Sequence, residues 1–139
     1  MKMSKARIVP FLSFTGQAEA AMRFYAQVLP ETSITTLVRY GTDNPHMPAE
    51  QGDRIMHGAI NCMGQEIIFL DMSDEYPAPA FNWAHSLYID CQDEAEFDEI
   101  FQVLSEEGSI MMGPESVGDI RKCAWVVDKF GVTWQPVWA

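Results

Sequence analysis

LSFTGQAEAAMRFYAQVLPE, residues 12–31, and LYIDCQDEAEFDEIFQVLSE, residues 87–106, decide the fold when they are set side by side. At an offset of 75 they share Leu12/Leu87, Gln17/Gln92, Glu19/Glu94, Ala20/Ala95, Gln27/Gln102, Val28/Val103, Leu29/Leu104 and Glu31/Glu106. Those are eight identities in twenty positions, where unrelated segments give about one or two. A period this long, present twice, points to duplicated half-domains and not to a solenoid.

Working outward, each copy reads as a strand, a helix and three strands. The opening strands are expected at 8–14 and 84–90. In the second helix Phe97, Ile100, Phe101 and Leu104 form the i, i+3, i+4, i+7 stripe. Asp93 with Glu96 resembles a capping box, and Gly108 suits the stop. In the first helix the stripe is Ala18, Ala21, Tyr25 and Val28, with Pro30 as terminator. Later strands are expected at 33–40, 55–63 and 65–72, then at 110–112, 120–128 and 132–137, with a tight hairpin at Met63-Gly64-Gln65. Residues 41–53 and 73–82 read as long loops, of the length that carries lids, partner contacts or plain surface.

The fold class is therefore α+β: two β-α-β-β-β modules, about 5–73 and 82–139, forming one domain over residues 1–139. A helix covers one face of each sheet. The other faces can turn toward a shared trough, which serves either as a ligand pocket or as packed core.

Composition narrows the partners. Twenty acids against nine bases give a net charge of −11, and the bases are scattered, so neither nucleic acid nor anionic membrane is an expected partner. No apolar run is long enough to span a bilayer. MKMSKARIVPFLSF reads as a first strand, not a signal peptide. Cys62, Cys91 and Cys123 are odd in number and far apart, which fits neither a disulfide framework nor a Cys-x-x-Cys metal site, and suits a reducing cytoplasm.

Gly16 to Tyr25, then Arg39-Tyr40-Gly41, then CAWVVDKFGVTWQPV (123–137) resemble the PhnB-like branch of the vicinal oxygen chelate superfamily, which includes the glyoxalases. The resemblance implies a homodimer and, in the superfamily's enzymes, a divalent metal held by His or Glu from four strands. Some members carry a demethylubiquinone methyltransferase label, yet this chain has no Gly-rich strand-to-helix loop of the adenosyl-methionine type. The four metal corners map onto Val9 or Pro10, Phe69, His85 or Ala84, and Gln135. At most His85 and Gln135 can ligate, so no metal and no cofactor is expected. His46 and His57 read as structural, and Glu66 and Asp71 as edge solvation.

Strand alternation instead lines the trough with Ser86, Tyr88, Thr133 and Gln135, joined by Phe14 and Phe69 from the first half, with Trp125 neighbouring the last strand. This wall of aromatics with a few hydroxyl and amide groups suits a neutral or aromatic ligand. The expected function is small-molecule binding without a complete metal site. The alternatives are a metal-dependent lyase, isomerase or dioxygenase with a degenerate ligand set, and a methyltransferase. Trp134, Val137 and Trp138 at the chain end suggest apolar area for a dimer to cover.

Overall fold

The structure is a computed structural model that describes residues 6–139; Lys5, the expected start of the first module, lies outside them. The chain divides into two compact units, Met1–Pro79 and Ala80–Ala139.

The first unit contains β1 (Phe11–Phe14), α1 (Ala18–Val28), β2 (Thr32–Arg39), a 3-10 turn (Ala49–Gln51), β3 (Ile55–Cys62) and β4 (Gln65–Asp71). The second contains β5 (Leu87–Asp90), α2 (Glu94–Ser105), β6 (Ser109–Val117), β7 (Ile120–Val127) and β8 (Thr133–Trp138). The sheets run β1-β4-β3-β2 and β5-β8-β7-β6. In both, the first strand pairs parallel with the last and the other pairings are antiparallel. The duplication thus holds at the level of topology, and the α+β class stands.

The two helices are anchored differently. Asp93 caps α2 as its sequence predicts: its carboxylate accepts from Glu96 N at 2.8 Å, and Glu96 reaches back to Gln92 N at 3.1 Å. At α1 the cap position is Gln17, whose side chain makes no cap bond. The acceptor comes from β4: Asp71 Oδ1 takes Gly16 N at 2.8 Å and Ala18 N at 3.0 Å, while Oδ2 takes Ile55 N at 2.9 Å. Asp71 is 1% exposed, so the expected edge solvation is wrong. Its charge is satisfied by three backbone donors, the condition on which a carboxylate can be buried.

Each helix then covers one sheet face. The buried face of α1 is Ala18, Ala21, Met22 and Tyr25, with Met22 in place of the expected Val28. Gly58 on β3 lets Met22 come close: a Cβ there would stand 2.6 Å from its sulfur. On α2 the buried residues are Phe97, Ile100 and Leu104, with Phe101 stacked on Phe97. The hairpin at Met63-Gly64 has both residues at positive φ, 51° and 92°, as a two-residue primed turn requires.

Two other expectations are corrected. β6 extends to Val117, well past the expected 112, and carries register shifts along its length. The terminal apolar residues are not exposed: β8 lies between β5 and β7, Trp134 is 1% and Val137 4% exposed, and Trp138 is half-buried. Exposed apolar side chains include Ile110, Met111 and Val117 on the edge strand β6.

Candidate functional site

In the second unit, β8 alternates between its two faces. Trp134 is buried on the helix side with Val126, its register partner on β7. Thr133 and Gln135 therefore point to the opposite, open face. Tyr88 pairs with Gln135 across the parallel β5–β8 ladder and shares that face. Gln135 Nε2 donates to Ser86 Oγ at 2.5 Å. Trp125 on β7 has the same parity, and its ring lies 6.2 Å from that of Trp83, a neighbour the sequence reading missed. Ser86, Tyr88, Trp125, Thr133 and Gln135 thus occupy one face of one sheet.

Its chemistry is that of neutral polar groups on an aromatic surface. Tyr88 is 62% exposed. Thr133 is 2% exposed, and its hydroxyl has no hydrogen-bond partner among the described residues. The hydroxyl therefore keeps hydrogen-bonding capacity on that face, as both donor and acceptor.

Phe14 and Phe69 do not belong to the corresponding face of the first unit. Phe69 is fully buried, with Phe14 stacked on it at 5.8 Å and Tyr25 of α1 at 6.1 Å. Both lie between sheet and helix, one residue out of phase with the expectation. The repeat carried the signal: at the offset of 75, Phe14 matches Ile89, which is also buried, whereas Tyr88 and Ser86 match Ser13 and Phe11. On β4, Leu70 pairs with Ser13 and Ile68 with Phe11, so the open face of the first sheet carries Phe11, Ser13, Ile68 and Leu70.

Neither candidate for the third metal corner lies in a strand. Ala84 and His85 are exposed in the turn before β5, and Ser86 is the residue that reaches Gln135. His46 and His57 are exposed too. Among the described residues no group of three or more His, Cys, Asp or Glu is placed to hold a metal ion. The cysteines are all buried. Burial pushes each thiol up, Cys91 to about 11, so none is an activated nucleophile.

Asp128 Oδ1 accepts from Phe130 N at 2.8 Å and Val132 N at 3.1 Å, and Oδ2 accepts from the Trp134 indole at 2.8 Å. Asp128, Gly131 at φ 89° and Trp134 build the β7–β8 turn and the core. Gln135 is left on the open face, beside Tyr88.

The β-α-β-β-β fold of each unit is shared with solved structures described as glyoxalase-superfamily members. The family model described as 3-demethylubiquinone-9 3-methyltransferase matches residues 6–137, and the chain belongs to that PhnB-like family. A PhnB protein from Bacillus cereus is 32% identical, with 96% of this chain and 100% of that one covered and a TM-score of 0.84. Protein PA1353 from Pseudomonas aeruginosa is 26% identical over 96% of this chain and 98% of its own, with a TM-score of 0.83. A glyoxalase/bleomycin resistance protein/dioxygenase superfamily member from Sphaerobacter thermophilus shares the fold at 15% identity, over 96% of this chain and 98% of that one, with a TM-score of 0.54. No curated protein matches. No helix among the described residues is long and apolar enough to cross a membrane.

Proposed function

We propose that this chain is a small-molecule binding protein of the glyoxalase-like superfamily that works without a divalent metal. The observation that carries this reading is the open face of the β5–β8 pair. There the Gln135 amide is bonded to Ser86, and a buried Thr133 hydroxyl has no hydrogen-bond partner among the described residues. Gln135 keeps its carbonyl as an acceptor, Thr133 offers a hydroxyl, and Tyr88 and Trp125 supply aromatic surface. A neutral, partly aromatic ligand satisfies such a set; a metal ion needs charged or imidazole donors, which these residues lack.

Methyl transfer from adenosyl-methionine receives no support from the chain's own residues. The β1-to-α1 turn, where a nucleotide-type loop would offer free helix amides, has those of Gly16 and Ala18 occupied by Asp71. The reading also takes the two units as one cooperative domain and the protein as a symmetric homodimer, for which the exposed apolar side chains of β6 are the supporting feature.

The test is a thermal-shift screen of neutral aromatic compounds on the parent and on Gln135→Leu and Tyr88→Ala, with elemental analysis of the purified protein. Stabilising compounds whose effect is lost in both variants are expected. About one metal per chain, or hits indifferent to both substitutions, overturns the reading. A monomer in sedimentation at tens of micromolar, on the order of weak-dimer concentrations, rejects the dimer.

A further inference from the structure

A pocket lies within the first unit, apart from Ser86, Tyr88, Trp125, Thr133 and Gln135. It has a volume of about 540 Å³ and is lined by Tyr40, His46, Met47, Met72, Glu75 and Tyr76, among others. That size is in the range of small-ligand sites.

The walls come from two loops that are tied to each other. Gly41 N donates to Gly52 O at 2.8 Å, which closes the base of the 41–53 loop. Gln51 and Asp74 bond reciprocally: Gln51 Nε2 donates to Asp74 Oδ2 at 3.3 Å, and Asp74 N donates to Gln51 Oε1 at 3.2 Å. Arg54 joins both, donating to Asp74 Oδ1 at 2.8 Å and to Met72 O at 2.9 Å. The Tyr40 hydroxyl donates to Asp71 O at 2.7 Å, which fixes its ring. Met47 is buried beneath. The cradle is thus held by side-chain bonds on both loops.

Its chemistry selects for charge. No lysine or arginine lines it. Glu75 makes no ion pair among the described residues. Tyr76 is 67% exposed, with its ring free to meet a ligand. Two tyrosines and two methionine thioethers beside an unpaired carboxylate form a site for a cation with an apolar body: aromatic faces and polarisable sulfur attract a weakly hydrated ammonium, and the carboxylate neutralises it. The chain's net charge of −11 adds a long-range field of the same sign.

We propose that the pocket between the 41–53 loop and residues 72–76 binds a small organic cation, an alkyl- or arylammonium compound. It goes beyond the proposed function, since its residues and its unit are different.

The experiment is an NMR titration of the full chain with benzyltrimethylammonium, benzyl alcohol and phenylacetate. The cation is expected to shift resonances of residues 40–48 and 72–76 saturably and to bind about 10-fold tighter than the alcohol. Glu75→Gln and Tyr76→Ala, both exposed loop changes, are each expected to weaken it about 5-fold. Gln135→Leu leaves it unchanged. Equal binding of alcohol and cation, indifference to Glu75→Gln, or no saturable shift at about 20 mM, a concentration well above any specific affinity, overturns the proposal.

Discussion

The two units share one topology and solve the same problems with different residues. Each must root its helix, bury one sheet face and close the turn that leads into its last strand. In the second unit these tasks are divided. Asp93 caps the helix from its own first turn, Val126 fills the sheet beneath it, and Asp128 organises the β7–β8 turn. In the first unit a single strand-borne carboxylate, Asp71, ties β4 to the start of α1 and to β3. Glycine stands at 58 where Val126 stands in the other copy, since Gly58 pairs with Phe69 as Val126 pairs with Trp134. Met22 fills the space a side chain would take. The first unit thus depends on long-range contacts where the second relies on local ones.

That contrast fixes an order of sensitivities. Asp71→Ala leaves three backbone amides without their acceptor, and the expected loss is about 3–5 kcal/mol by chemical denaturation. Asn at the same position recovers only part, because it offers one acceptor oxygen in place of two. A loss below that of Asp93→Ala would break the comparison.

Gly58→Ala comes next, at about 1–3 kcal/mol, because its Cβ would meet the Met22 sulfur at 2.6 Å. Adding Met22→Ala to Gly58→Ala is expected to cost less than the sum of the two single changes; strict additivity would show that the contact is not what excludes the methyl group.

Asp93→Ala removes a local cap and is expected to cost about 1 kcal/mol, with the protection of α2 amides against hydrogen exchange falling more than that of α1.

The smallest effect is electrostatic. Hydrogen bonds from Arg39 and Arg23 hold the Glu19 carboxyl at about 2, below its usual 4.5. A lowered folded-state value stabilises the protein above about pH 4.5, and that contribution disappears as the pH falls toward 2. Glu19→Gln is expected to cost less than about 1 kcal/mol at neutral pH, as befits a partly exposed pair. Denaturation curves of the two proteins should converge in acid; a difference that persists there would assign the effect to packing.

The sequence by itself determined the duplication, the strand-helix-three-strand order, the cap at Asp93, the hairpin at Met63-Gly64 and the family. These follow from local chemistry: periodic apolar positions, turn residues with positive φ and a repeated twenty-residue pattern read true without knowledge of the partners. Alternation also placed Ser86, Tyr88, Thr133 and Gln135 together on one face, because the side-chain period of a strand is two and the pairing of β5 with β8 keeps both strands in phase. Tertiary structure decided the rest. Phe14 and Phe69 turned toward α1, since the phase of an isolated strand is set by which face its helix covers, and a one-residue slip inverts every side chain. Asp71 became a buried cap because its three donors come from residues 53, 55 and 16 positions away in sequence. Trp134 and Val137 became core because the last strand is inserted between β5 and β7, a position that pairing between distant strands confers and no terminal sequence announces.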